Sequence, residues 1–180
     1  VVQRLDFYSK EELIGLVEVN ARKLEIEINK DGTQILARRA RGTPRIANRL
    51  LRRVRDYAQV RGDGRINQEI ANAALDQLKI DSIGLDEWDR DLLHTLITHF
   101  NGGPVGLETL AASVAEEADT VMDVIEPFLL QLGFIKRTAR GRVATAAAYE
   151  HLNLPTPNRM ITEQSSLFDP SSNKNKTGSK

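Results

Sequence analysis

The chain has 180 residues, with 25 basic side chains balanced by 25 acidic ones, 5% aromatic residues and no cysteine. That length suits one domain or two small ones, and so few aromatics suit helical cores built on Leu, Ile, Val and Ala. The missing cysteines exclude a disulfide framework and thiolate metal sites, and no apolar run approaches the ~20 residues that cross a bilayer.

The neutral total hides blocks of one sign. Between Leu36 and Arg65 stand ten arginines (38, 39, 41, 45, 49, 52, 53, 55, 61 and 65) against Asp56 and Asp63. From Asp81 to Glu126 there are eleven carboxylates and one cation, Arg90. "GFIKRTARGR" then restores four positive charges without an acid. Blocks of this kind set fields and partners rather than folds.

The opening "VVQRLDFY" reads as the exit of a strand, and Val1 as a cut within a longer protein; no signal-peptide pattern precedes it. "SKEELIGLVEVNARKL" places Leu13, Ile14, Leu16, Val17 and Leu24 at helical spacing, with Ser9 as N-cap and Glu12 as its capping-box partner. "NKDGTQILARRARG" predicts a second short helix ending near Gly42. Thr43 should cap a third helix whose first position is Pro44, where the missing N–H costs nothing. On that helix Ile46, Ala47, Leu50, Leu51, Val54, Tyr57 and Ala58 fill one side. Arg45, Arg49, Arg52, Arg53 and Arg55 fill the other. "RGDGRINQEIANAALDQL" adds a turn and a fourth helix, so that residues 9–79 form a four-helix unit.

"KIDSIGLDEWDR" is a connector, with Asp86 as cap of a helix carrying Leu92, Leu93, Leu96, Ile97 and Phe100, broken by "NGGP". "GLETLAASVAEE" predicts a helix with Leu107, Leu110, Ala111 and Val114 inward. "DTVMDVIEPFLLQLG" predicts another, kinked or perturbed in its bonding at Pro127. "FIKRT" and "RVAT" around "ARG" form a hairpin. Helix, helix, turn, helix and hairpin is the order of a winged helix. From about Pro155 the text turns to Pro, Asn, Ser and Lys and reads as a disordered tail.

No phosphate-cradling G-x-x-x-x-G-K-[ST] and no G-x-G-x-x-G occurs. His94, His99 and His151 have no metal-ligand spacing and read as exposed or helix-edge histidines. The carboxylates of "DEWDRD" and "EEAD" read as solvated helix faces, so neither a catalytic residue nor a metal site is expected. Arg45 is different from its neighbours. In the first turn of a helix a cation is disfavoured by about 0.3–1 kcal/mol, so an anion nearby is the better explanation for it. Helix N-termini hold phosphates and arginine offers a planar fork to them, although a neighbouring carboxylate would also answer. Lys136, Arg137, Arg140 and Arg142 make the hairpin a basic tip that suits a polyanion. The helix that would enter a DNA groove carries Asp119, Asp123 and Glu126 and no cation, so the wing should lead, by backbone contact rather than base reading.

"RLDFY", "ARRARGTPRIANRLLRRVRDYAQV", "FNGGPVGLETLAASVAEE" and "EPFLLQLGFIKRTARGRVAT", in that order, resemble the C-terminal half of RuvB-type proteins, the bacterial AAA+ motors of Holliday-junction branch migration. The resemblance covers residues 2–154. It implies a mainly α chain, with an AAA+ lid over 1–79 and a DNA-binding winged helix over 80–155; the disordered tail, 156–180, is not part of the resemblance. It further implies that Arg45, in G-T-P-R, is the sensor-2 arginine reaching nucleotide phosphates and that Tyr8 lies by the nucleotide. Arg137 and Arg142 match DNA-contacting positions. A further DNA-contacting arginine of the family is replaced here by Ala118. ATP or ADP with Mg²⁺ would be bound in the intact motor, whose Walker segments, sensor 1 and arginine finger precede the matching region. A homo-hexamer, DNA, a RuvA-type junction-binding partner and a cytoplasmic location follow from the same resemblance. The competing expectation is a winged-helix transcriptional regulator or adaptor with a helical oligomerisation domain.

Overall fold

The computed structural model describes residues 7–157. It is mainly helical with one two-stranded sheet, and the chain divides into two compact units between Trp88 and Asp89.

The first unit holds four helices. Helix α1 (Lys10–Lys23) begins with the expected box: the Ser9 N–H donates to Glu12 Oε2 at 2.8 Å and the Glu12 N–H to Ser9 Oγ at 3.2 Å. Leu24 lies past its end and is exposed, so it does not join the inner face. Helix α2 (Lys30–Arg38) starts on Asn29, whose side chain accepts from the Gly32 N–H at 2.8 Å. It stops before Gly42, because Arg41 and Gly42 both adopt positive φ (55° and 67°) and turn the chain into the next helix. Helix α3 (Pro44–Arg61) has Pro44 in its first turn as expected, but Thr43 does not cap it. The Thr43 hydroxyl turns back and donates to the Ala40 carbonyl at 3.2 Å. Helix α4 (Gln68–Gln77) is capped by Asn67, which accepts from the Ile70 N–H at 2.9 Å. A parallel bridge between Ile28 and Ile66 ties the two interhelical loops together. Leu13, Val17, Leu36, Leu50, Leu51, Val54 and Leu75 meet in a single core, at about 25 cal/mol per Å² of apolar surface removed from water.

The second unit contains α5 (Glu87–Thr98) from Asp89 onward, α6 (Leu107–Ser113), and a helical run in three parts: α7 (Ala118–Thr120), a π-helical turn (Val121–Ile125) and α8 (Glu126–Gln131). The perturbation expected at Pro127 is that π turn. The Glu126 N–H donates to the Val121 carbonyl five residues back, one residue before the proline that has no N–H to give. Strands β1 (Ile135–Thr138) and β2 (Gly141–Ala144) pair antiparallel, with Arg137 opposite Arg142 and a two-residue turn at Ala139 and Arg140. The "NGGPV" segment sews this hairpin down: Val105 and Arg142 exchange backbone hydrogen bonds at 3.0 and 2.8 Å, and the Ala144 N–H donates to the Gly102 carbonyl at 2.9 Å. A short helix not anticipated from the sequence, α9 (Ala146–His151), follows and buries Ala148 and Tyr149. Leu92, Leu93, Leu96, Leu110, Leu129 and Ile135 form this unit's core. The expected strand exit falls mostly, and the expected tail almost entirely, outside the described residues.

Candidate nucleotide and nucleic-acid contacts

The ten-arginine run divides into inward and outward members. Arg39 is buried, donating to the Asn72 side chain at 2.9 Å and the Ile80 carbonyl at 3.3 Å. Burial pushes its guanidinium below the ordinary value, opposed by Asp76. Arg41 donates through Nε to the Gly84 carbonyl at 2.9 Å and pairs with Asp86 at 2.8 Å. Both therefore hold the connector onto the four-helix unit and are not part of a free basic surface. The connector is itself a built turn. Asp81 Oδ1 accepts from the N–H groups of Ile83, Gly84 and Leu85, at 3.0, 2.9 and 2.8 Å. A Cβ on Gly84, at φ 101°, would lie 2.7 Å from the Arg39 carbonyl oxygen.

Arg45, Arg49, Arg52 and Arg53 are among the outward members. They are exposed on α3, and none has a carboxylate partner among the described residues. Arg55, expected beside them, is half-buried and bonded to its neighbour Asp56 at 2.7 Å. The start of α3 is unusually open to an anion. Its first turn has no acidic residue, Thr43 leaves the first N–H groups uncapped, and Arg45 stands there without a carboxylate partner among the described residues. Tyr8 is tied to the same turn, its N–H donating to the Gly42 carbonyl at 2.9 Å while its ring is about half exposed. Backbone geometry thus joins the two nucleotide candidates, which stand 37 residues apart in the chain, to one turn. A recess of about 470 Å³ opens beside Arg45, Asn48, Arg49 and Arg52. A larger recess, about 900 Å³, lies elsewhere in the unit, its walls carrying Glu18, Glu27 and Asp63 beside Arg22, Lys30 and Arg65.

The wing corrects the picture of four free cations. Lys136 and Arg140 are exposed, and their side chains have no acidic partner among the described residues. Arg137 and Arg142 are both held by Glu126. Arg137 donates Nε to Oε1 at 2.9 Å and Nη2 to Oε2 at 2.8 Å; Arg142 does the same at 2.9 and 3.1 Å. The Glu126 side chain is 1% exposed, that of Arg142 18% and that of Arg137 52%. Burial pushes the Glu126 carboxyl up, yet the hydrogen bonds and charges of the two arginines outweigh it and hold the group below its ordinary value. The same contact raises Arg137. Glu126 is thus not a repulsive charge on the groove-facing helix, as expected, but the acid that neutralises the hairpin from beneath. Asp119 and Asp123 remain exposed on that helix, and Ala118 lies at its start beside Glu116 and Glu117. The sequence carried one signal of Glu126: a lone acid between the core residues Ile125 and Phe128. Among the described residues no three His, Asp or Glu side chains converge on a metal site, and no helix is long and apolar enough to cross a membrane.

Residues 8–81 match the family described as the RuvB AAA lid domain, and residues 82–153 match the RuvB C-terminal winged helix domain. The chain is 60% identical over 160 residues to the Holliday junction branch migration complex subunit RuvB of Chloroflexus aurantiacus, covering 89% of this chain and 46% of the relative. It is 56% identical over 161 residues to the subunit of the same name from Dehalococcoides mccartyi, with the same coverage. The solved Thermotoga maritima RuvB Holliday junction branch migration motor superimposes with a TM-score of 0.81 at 49% identity, over 85% of this chain and 51% of that one. The chain therefore spans about half the length of the curated relatives it matches.

Proposed function

Because this chain belongs to the RuvB family, we propose that it is the lid and winged-helix portion of an ATP-driven motor that migrates Holliday junctions. The four-helix unit contributes to nucleotide sensing: Arg45 reaches the phosphates and Tyr8 lies by the nucleotide. The pocket itself, and the Mg²⁺ that accompanies ATP, belong to a large ATPase domain that the matched region does not include. The winged helix contacts the backbone of duplex DNA at any sequence, through Arg137, Arg142, Lys136 and Arg140. The working assembly is a homo-hexamer with a RuvA-type partner in the bacterial cytoplasm.

One observation carries this reading. Arg45 has no carboxylate partner among the described residues in an uncapped, acid-free first turn, where its own helix disfavours a cation, and the backbone ties Tyr8 to the same turn. An external anion accounts for that arrangement. At the other end of the chain, exposed wing cations beside an acidic helix suit a phosphate backbone better than a base-reading groove contact.

The test is competition binding of this chain to a four-way junction, a duplex of mixed sequence and a candidate operator, over a range of salt. We expect salt-sensitive binding with similar affinity for all duplex sequences. Discrimination of one sequence by about 10³ or more would favour a transcriptional regulator instead. The chain alone should not turn over ATP, and sustained hydrolysis by it would contradict the proposal.

A further inference from the structure

Arg137 and Arg142 face each other across the hairpin, so their side chains leave the same face of the sheet. Two guanidinium groups so placed repel each other unless an anion sits between them. Glu126 is that anion, and its position follows from the π turn. The i→i+5 bond from Glu126 to Val121 puts one extra residue in the turn, which rotates everything after it by about 100° around the helix axis. Val121, Ile125 and Leu129 are buried along this run and Glu126 is buried with them, while Met122 and Val124 are exposed.

We propose that Glu126 is a positioning residue for the wing, clamping Arg137 so that its free edge meets a DNA phosphate while Arg142 balances the carboxylate from below. This rests on the DNA-binding reading above and deepens it. A guanidinium has five N–H donors, and Glu126 occupies one on Nε and one on Nη2 of each arginine. Both Nη1 hydrogens and the second Nη2 hydrogen of Arg137 remain, on a side chain that is half exposed. Arg142 is mostly covered, and its backbone is pinned to Val105 on both sides. The two arginines therefore have unequal roles: Arg137 presents the larger free edge to DNA, whereas Arg142, mostly covered, contributes chiefly by holding Glu126. The clamp stays closed on binding, because opening it would leave a buried carboxylate unpaired. It offers the phosphate a guanidinium with its geometry already set, and three charged groups with a net charge of +1.

Removing the acid distinguishes positioning from simple charge. Glu126→Gln raises the local charge from +1 to +2, so a purely electrostatic account predicts tighter DNA binding with a steeper salt dependence. Positioning predicts the opposite sign. The experiment is fluorescence anisotropy of the full chain with a mixed-sequence duplex at several salt concentrations, with circular dichroism to establish that each variant is folded. We expect Glu126→Gln to weaken binding about fivefold or more. Arg137→Lys keeps the charge at a half-exposed site, with Arg142 still paired to Glu126, but it loses the two-pronged grip; we expect a loss close to that of Arg137→Ala. Arg137→Ala should also lower the magnitude of the salt slope by about one. A folded Glu126→Gln that binds as tightly as the parent chain or tighter, or an Arg137→Lys equal to the parent, overturns the proposal. If Lys136→Ala weakens binding while Arg137→Lys does not, the positioning role fails and the DNA reading survives. A parent chain that binds no duplex even at low salt sinks both.

Discussion

Replacing Arg41 by Ala should separate the arginines that hold the structure together from those that face outward. Arg41 donates to the Gly84 carbonyl at 2.9 Å and pairs with Asp86 at 2.8 Å, on a side chain only 12% exposed. A hydrogen bond from a charged donor is worth about 1.5–3 kcal/mol. The half-shielded ion pair adds at most about 1 kcal/mol. The expected loss is therefore about 2–3 kcal/mol, concentrated in the first unit. Arg49, four residues into the exposed stripe and without a partner among the described residues, should change stability by less than about 0.5 kcal/mol when replaced by Ala. Trp88 is the single tryptophan of the chain and closes the first unit, so its fluorescence reports on the segment Arg41 secures. With a urea dependence of about 1.5–2 kcal/mol per molar, Arg41→Ala should move the midpoint down by about 1–2 M. If Arg41→Ala and Arg49→Ala unfold together with the parent chain, the connector is not held in the way described.

Two further outcomes follow from the winged-helix unit. Gly141, at φ 130°, packs so closely on the Val105 carbonyl that an added Cβ must displace the bridge to Arg142. Gly141→Ala should cost about 2–4 kcal/mol, whereas Gly64→Ala, at φ 85° with nothing near its Cβ, should cost only about 1–2 kcal/mol of left-handed strain; thermal unfolding of the two variants checks the difference. The second outcome concerns pH. The folded Glu126 carboxyl lies below its ordinary value of 4.5, so between the two values the unfolded chain binds more protons than the folded one. Its contribution to stability is complete above that ordinary value and is lost as pH falls through the folded one. Unfolding midpoints measured from about pH 6 to about pH 3 should fall more steeply for the parent chain than for Glu126→Gln.

Much of the fold was legible because it is encoded locally. The apolar positions of α3 recur at helical spacing, and Ala47, Leu50, Leu51, Val54 and Ala58 are buried as that spacing demands. Ser9 and Glu12 lie three residues apart, and a capping box needs nothing further away. Where local rules misled, a competing partner was close by. Thr43 has the residue type of an N-cap, yet its hydroxyl bonds to Ala40 instead. The helix after the hairpin went unseen because "AAAYEH" is too short to show a period, and only packing of Ala148 and Tyr149 supports it.

The candidate sites divide along the same line. Residue types and order along the chain were enough to mark Arg45, Tyr8 and a basic hairpin, since a cation in a first turn is an anomaly within a few residues of sequence. They could not tell which arginines are free. Arg39 meets Asn72 and Ile80, Arg41 meets Gly84 and Asp86, and Arg137 and Arg142 meet Glu126 from 11 and 16 residues away. Charge and hydrophobic period are properties of neighbours in the chain, so they can be read off it; the choice of counter-ion depends on which distant segments the core brings within three ångströms, and that is decided only when the chain has packed.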